Sequence, residues 1–235
     1  MFVRVWVILL AVAALAGCKS KPARSLELDR IRVISNATLR TDQVSGGPGM
    51  AAPRPLPGHE VVYDVKDPYA TSTTFVLVDA ENGAGEGAYV TLSGELTDDG
   101  GGVIGTLKAQ SLWVPAGERR LFALVDDERK ERPASTSARI VVRGALVPES
   151  PPRARIDQLH AFDDYGKVVV QANLVNDADR IGKVVVIAAF HDANGRPMTR
   201  PFQIIEIDKK QTKTVQFVGP PGSKTGTIFV GDVVY

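Results

Sequence analysis

Short runs of strand-forming residues recur along most of this chain, and clusters of Gly, Pro, Asn and Asp separate them. The runs are Thr73 to Val78, Tyr89 to Leu96, Val103 to Trp113, Arg119 to Val125, Arg139 to Leu146, Ile156 to Phe162, Lys167 to Leu174, Lys183 to Phe190, Phe202 to Ile207, Thr212 to Val218 and Thr225 to Val234. This rhythm is typical of an antiparallel sandwich or barrel. The sequence therefore predicts an all-β fold.

A proline-rich segment, Pro148 to Pro152, divides these runs into two groups. Adjacent prolines favour the extended polyproline conformation, so we expect a stiff linker there. We predict a first β-sandwich domain over residues 26–147 and a second over residues 153–235. Within the first, the apolar alternation of Leu26 to Ser35 predicts one strand with a bulge. The Gly and Pro content of residues 41–59 predicts a long flexible loop.

The two groups also match each other in sequence, as a duplicated domain would. The register that gives every strand a partner matches Val76 to Asp79 with Leu174 to Asp177. It also matches Leu92, Leu96, Asp98 and Gly101 with Val186, Phe190, Asp192 and Gly195, and Ile140 to Val142 with Ile228 to Val230. Its length differences fall in predicted loops, which supports a duplication. A rival register pairs residues 36–42 with residues 171–177.

The beginning of the chain is an apolar run from Val5 to Ala16 that only Arg4 and the amino group precede, and it leads into Leu15-Ala16-Gly17-Cys18. The run is shorter than the roughly 20 residues that span a bilayer. This pattern resembles the lipobox of bacterial lipoproteins. The resemblance implies a signal peptide over residues 1–17, a diacylglyceryl group on the Cys18 thiol, and acylation, such as by palmitate, of the new amino group. Residues 18–25 would form the tether.

The residue after the lipidated cysteine gives an expectation about location. In Gram-negative lipoproteins an Asp there retains the protein in the inner membrane, whereas this chain has Lys19. We therefore expect an outer-membrane lipoprotein that faces the periplasm; the cell surface and the inner membrane are the alternatives. Lys19, Lys21 and Arg24 would either attract anionic headgroups, at roughly 1 kcal/mol per charge, or belong to a solvated tether.

Composition narrows the function further. Cys18 is the only cysteine, so no disulfide forms within the chain and stability must come from burial. The 28 Lys and Arg nearly balance the 27 Asp and Glu. Because nucleic-acid binding needs a basic surface, we expect no nucleic-acid partner.

The second group of runs resembles the FxLYD type of immunoglobulin-like domain of bacterial lipoproteins. The residues that carry the resemblance are Gln171 to Asn176, Val184 to Gly195 and Val215 to Phe217. The resemblance implies two tandem antiparallel immunoglobulin-like β-sandwiches with a binding role. This chain has His191 where the family usually has Tyr, and Lys209-Lys210-Gln211 where it has a Pro-Gly turn.

Few residues suggest chemistry. His59, His160 and His191 lie in loop or strand positions without a neighbouring nucleophile, so we predict no enzyme, no catalytic residue, no cofactor and no small-molecule substrate. Asp192-Ala193-Asn194-Gly195 could begin a calcium loop, but the later Glu of such loops is missing. We predict instead a hairpin turn in which Asp192 bonds its own backbone and Gly195 has positive φ, and therefore no metal site.

The expected function is a non-catalytic protein-binding or scaffolding module that an anchor holds in the envelope. The alternative is an accessory subunit that stabilises a secretion, motility or cell-wall machine; an enzyme is the remote alternative. The predicted partner surface joins the 192–195 turn to the C-terminal tip, through Asp192, Asn194, Gly195, Val233, Val234 and Tyr235. Trp113 is expected either in the core or as a partner-binding or sugar-stacking aromatic.

Overall fold

The computed structural model describes residues 24–35, 37–44 and 71–234. The predicted signal peptide, Cys18, residues 45–59 of the predicted loop, and Tyr235 lie outside the described residues. The described chain is all-β, with 65% strand in four antiparallel sheets. Its one helical segment is a single 3-10 turn at Leu28–Arg30. The all-β prediction is thus confirmed.

The first half forms two sheets. Sheet I has the strand order β1 (Arg24–Ser25), β8 (Ser137–Val147), β5 (Ala88–Thr97), β6 (Val103–Val114). Sheet II is built on β4 (Thr71–Asn82), which pairs on one side with β2 (Ile31–Val33) and β3 (Thr38–Val44) and on the other with β7 (Arg119–Val125).

The second half forms two further sheets. Sheet III is built on β11 (Gly182–His191), which pairs on one side with β12 (Pro197–Thr199) and β13 (Phe202–Ile207) and on the other with β15 (Thr225–Val234). Sheet IV has the order β14 (Thr212–Val218), β10 (Lys167–Asn176), β9 (Ala154–Asp164).

Most strand positions agree with the sequence prediction, and β7, β13, β14 and β15 agree at both ends. The exceptions lie early in the chain. Residues 26–35 do not form one bulged strand, because the 3-10 turn precedes a three-residue β2. Thr41 to Val44 continue β3, so the predicted 41–59 loop begins too early; its remainder from residue 45 lies outside the described residues. Strand β12 was not predicted.

The two halves have the same pairing pattern. In the first half β4, the central strand of sheet II, pairs with β3 and β7. In the second half β10, the central strand of sheet IV, pairs with β9 and β14. Strands β8 and β15, which pair with the central strands β5 and β11 of the other sheets, carry a bulge at matching places: Arg143 is skipped opposite β5, and Gly231 is skipped opposite β11. The Gly94 and Ile140 pair corresponds to the Ala188 and Ile228 pair, as the preferred sequence register requires.

One part of that register is wrong. Asn82 at the end of β4 and Asn176 at the end of β10 occupy the same place, so the match of Val76 to Asp79 with Leu174 to Asp177 is four residues out of register. The side-chain Oδ1 atoms accept hydrogen bonds from the amides of Ala84 and Ala178 respectively. The rival register also fails, because residues 38–44 form the edge strand β3 rather than the central strand.

Two clusters of buried apolar residues form the core. One lies between sheets III and IV and contains Val170, Val186 and Phe217. The other fills the space between sheets I and II, and it also includes Ile187, Ala189 and Phe229 from sheet III. Sheet III therefore packs against sheet II, and the sheets follow one another in the order I, II, III, IV. The exposed segment Glu149 to Pro151 connects the halves.

The bulge glycine in β15 generates a stability prediction. A Cβ at Gly231 would overlap Ile187 Cδ1, and Ile187 is buried between sheets II and III. We expect Gly231→Ala to lower the free energy of unfolding by about 1–3 kcal/mol through overpacking, measured by urea denaturation. The control is Gly144→Ala, where no atom lies within 4 Å of the added carbon.

The substitution Ile187→Val removes the overlapping methyl group. The double variant should therefore lose less stability than the two single variants together. Equal losses for Gly231→Ala and Gly144→Ala would contradict the packing of this bulge.

Candidate functional site

The 192–195 segment is a hairpin turn between β11 and β12. Asp192 Oδ1 accepts hydrogen bonds from the amides of Asn194 and Arg196, both at 2.8 Å. Gly195 has a φ of 69°, in the left-handed region. The predicted turn geometry is confirmed, and the matching turn of sheet I has the same form, because Asp98 Oδ1 accepts from the amide of Gly102 at 2.8 Å.

The structure does not bring the two parts of the predicted partner surface together. The turn with Asp192, Asn194 and Gly195 follows His191, which pairs with Thr225. Val233 and Val234 instead pair with the opposite end of β11, at Val184 and Lys183. The two parts are about 26 Å apart along the strand at 3.3 Å per residue. Tyr235 lies outside the described residues.

The C-terminal tip has different neighbours. Val234 and Ile204 are each 65% exposed, and Ile181 is 54% exposed. Val234 pairs with Lys183 of β11, and Ile204 pairs with Val185, two residues further along the same strand. Val234 and Ile204 therefore lie at the same end of sheet III. We call Ile181, Ile204 and Val234 the C-terminal patch. The backbone of a partner protein cannot come close to Gly231 on the side where a Cβ would lie, because Ile187 fills that space.

The histidines have separate surroundings. His160 is exposed on β9, and His59 lies outside the described residues. His191 Nε2 lies 2.8 Å from Asp79 Oδ2, and the Asp79 side chain is only 2% exposed. This contact joins β11 of sheet III to β4 of sheet II, so His191 holds the halves together.

Arg200 is the largest fully buried side chain in the described structure. It lies between β12 and β13, and its Nε donates a 2.7 Å hydrogen bond to the carbonyl of Leu121 in β7. Among the described residues, neither Nη atom has a hydrogen-bond partner. Burial lowers the pKa of the Arg200 guanidinium well below its usual range, to about 9, so it is still charged at neutral pH.

Arg200 and a second arginine, Arg120, both lie close to the ring of Phe229. The Arg120 guanidinium lies 5.2 Å from the Phe229 ring centroid, and that of Arg200 lies 5.9 Å from it. Arg120 also pairs with Glu118 at 2.7 Å. Burial lowers the pKa of Arg120, and the Glu118 carboxylate partly offsets this effect. Cations favour the faces of aromatic rings, so Phe229 stabilises both guanidinium groups.

Further hydrogen bonds cross from β3 to β12. The Thr38 hydroxyl donates to the carbonyl of Pro197 at 2.7 Å, and Arg40 Nη1 donates to the carbonyl of Met198 at 2.8 Å. Sequence reasoning missed this interface, because its polar groups are far apart in the chain. The one available signal was the uninterrupted apolar run in β4 and β7, which indicates strands that are buried on both faces.

Asn82 and Asn176 close the ends of the two central strands. Asn82 Nδ2 donates to the carbonyls of Glu86 and Val114 at 2.9 and 3.0 Å. Asn176 Nδ2 donates to the carbonyls of Arg180 and Asp208 at 2.9 and 3.0 Å. Each buried amide thus joins its strand to two turns, which is a structural role.

Trp113 is half-buried on the outer face of sheet I and is not part of either core cluster. Its ring centroid lies 5.5 Å from that of Tyr89, with the ring planes tilted by 59°. A Cβ at Gly87 would overlap the indole, so the benzo edge of the Trp113 ring packs directly against this glycine.

The described residues contain neither a candidate metal site nor a membrane-spanning helix. No three His, Cys, Asp or Glu side chains are grouped as metal ligands in the part of the chain that the structure describes. No helix among those residues is long and apolar enough to cross a membrane. Comparison with known proteins found no matching family model and no matching curated protein. The resemblance to FxLYD domains therefore stays a prediction.

The isolated charge of Arg200 generates a second prediction. A pKa lowered to about 9 corresponds to a burial penalty on the order of 5 kcal/mol, whereas the lost hydrogen bond to Leu121 is worth about 1 kcal/mol and the lost contact with the Phe229 ring about 1–2 kcal/mol. We expect Arg200→Met to raise the free energy of unfolding by about 1–3 kcal/mol, measured by urea denaturation. The exposed Arg196→Met is the control and should be neutral.

The gain should depend on pH in a defined direction. Below about pH 9 Arg200 is protonated in both the folded and unfolded states, so the gain is constant between about pH 6 and 8. Above about pH 9 the folded wild type loses this proton and its penalty falls, so the difference between variant and wild type shrinks. A less stable Arg200→Met protein would contradict the unpaired buried charge.

Proposed function

We propose that this chain is a non-catalytic lipoprotein of the bacterial cell envelope. It carries two tandem immunoglobulin-like sandwiches and presents them to a protein partner. The observation that carries the proposal is the repeated strand pairing, with its repeated bulge, in two halves that bury Ile187, Ala189 and Phe229 against each other. Such a body presents fixed surfaces, which suits binding and scaffolding.

The buried polar groups support a structural use of the titratable side chains. His191 pairs with Asp79, and Arg132 Nε pairs with the buried Asp126 at 3.0 Å. Each of these pairs joins strands or turns to one another. The proposal therefore assigns the function to the surface of the protein and to its anchor.

The anchor is Cys18, which the lipobox resemblance marks for lipidation. We place the protein in the outer membrane, facing the periplasm, because Lys19 follows the cysteine. The cell surface and the inner membrane are the alternative locations.

The partner surface is the C-terminal patch. Three large apolar side chains, Ile181, Ile204 and Val234, are more than half exposed there. Exposed apolar groups that lie close together are typical of protein interaction sites. The 192–195 turn is left out of this surface, because it lies at the opposite end of β11.

The first test concerns the anchor. We expect Cys18→Ala to abolish lipid labelling and to leave the precursor uncleaved, because acylation of the thiol precedes cleavage in this family. The readouts are incorporation of a clickable fatty acid in cells and the mass of the purified protein. Cys18→Ser is the conservative control and should behave in the same way. Mature-length, unlabelled, soluble wild-type protein would contradict the proposal.

The second test concerns the partner. A photocrosslinking amino acid at Val234 should give a discrete adduct in intact cells, and Ile204→Lys should reduce that adduct about tenfold, since hot-spot contacts contribute about 1.4 kcal/mol or more. The matched control is Leu159→Lys, whose side chain is 41% exposed on β9 of sheet IV. The identity of the adduct separates a dedicated partner from a subunit of a larger envelope machine. Equal adducts in both variants would exclude the patch.

A further inference from the structure

A row of side chains crosses the outer face of sheet I next to the start of the described chain. Ser25 pairs with Leu146, Leu146 with Tyr89, and Tyr89 with Trp113. Directly paired residues point to the same face of a sheet, so these four form one continuous line over four strands. Tyr89 is 37% exposed and Leu146 is 46% exposed, and Trp113 is half-buried beside them. We call Leu146, Tyr89 and Trp113 the aromatic row.

The sequence places the proposed anchor close to this row. The segment from Cys18 to Arg24 spans at most about 22 Å when fully extended. Arg24 itself belongs to β1, at the edge of sheet I that begins the row. If Cys18 carries lipid, Arg24 must lie within this distance of the bilayer surface, and the row begins on the neighbouring strand β8.

The chemistry of the row fits a bilayer interface. Trp and Tyr combine an apolar ring with a polar group, and they are enriched where hydrocarbon meets headgroups. The Tyr89 and Trp113 rings are neighbours on the outer face of sheet I, and Leu146, paired with Tyr89, adds an aliphatic side chain to the same face.

Basic groups lie at the same end of the first half. Arg24 and Arg30 line an open cleft of about 430 Å³ together with the turn at residues 83–85. Guanidinium groups bind phosphate, and the two arginines here also pair with Glu86 and Glu27. The turn continues to Gly87, against which the Trp113 ring packs. A surface with apolar rings beside guanidinium groups suits a phospholipid better than a polysaccharide.

We propose that the aromatic row rests in the headgroup region of the membrane that holds the anchor, so that sheet I faces the lipid. This inference rests on the proposed lipid anchor at Cys18. Two properties of the chain allow a test that does not need lipidation in the cell. Cys18 is the single cysteine, and of the two tryptophans only Trp113 follows the signal peptide.

The chain from Cys18 onward is coupled through its thiol to phosphatidylcholine vesicles that contain a maleimide phosphatidylethanolamine. Trp113 emission should shift to shorter wavelength on coupling, and brominated phosphatidylcholine should quench it by about half or more, as expected of a ring at the interface. Unshifted, unquenched emission would overturn the proposal, as would a shift that a polysaccharide causes in place of lipid.

The test must distinguish insertion of the row into the headgroup region from mere closeness to the vesicle through the tether. Leu146→Asp and Tyr89→Asp have the same tether as the wild type, and they should lose most of the quenching. Leu159→Asp, at an exposed leucine of sheet IV, should retain it. Thermal unfolding of each variant verifies that its fold is intact. Equal quenching in all four proteins would show proximity only and would overturn the row as a contact surface.

The two proposals fail in different ways. Absence of a lipid label on Cys18 in cells would remove the anchor without changing the vesicle result. Quenching only in the wild type and Leu159→Asp supports the row as a membrane contact, whatever the cellular label.

Discussion

The architecture depends on the burial of sheet II on both of its faces. In β4 every residue from Thr73 to Ala80 is buried, and in β7 every residue from Leu121 to Val125 is buried. One face of a sheet can pack on sheet I, but the other needs a second apolar layer. Ile187, Ala189 and Phe229 of sheet III supply this layer. The linker at residues 148–152 therefore joins two halves whose cores are in contact.

Burial of this kind raises the cost of every unpaired polar group at the interface. On the edge of β7 that does not pair with β4, side chains satisfy the backbone groups. Gln110 Oε1 accepts from the amide of Ala123, and Arg200 Nε donates to the carbonyl of Leu121. His191 and Asp79 satisfy each other in the same layer. Arg200 remains the exception, since its Nη atoms have no partner among the described residues. The interface is thus specified by polar contacts and stabilised by apolar ones.

The sequence was sufficient to predict the strands from β4 onward except the three-residue β12, because alternating apolar residues and turn clusters are local signals. It was insufficient for β3, since Thr38 to Val44 is mostly polar and pairs at an edge. The 192–195 turn was predictable from Asp and Gly alone. The distance between that turn and Val234 was not predictable from the sequence. It depends on β15 running antiparallel to β11, which places Val234 at the end of β11 opposite the turn. The interface was not predictable either, since His191 and Asp79 meet only after both halves have folded.

The order of the sheets also relates the two proposed surfaces to each other. The aromatic row lies on the outer face of sheet I, and the C-terminal patch lies on sheet III. Packed sheets lie about 10 Å apart, so two layers separate these surfaces by about 20 Å. Because sheets I to III share one buried cluster, this separation does not depend on the linker. If sheet I contacts the membrane as proposed, a partner bound at Val234 would be held at a fixed height above it.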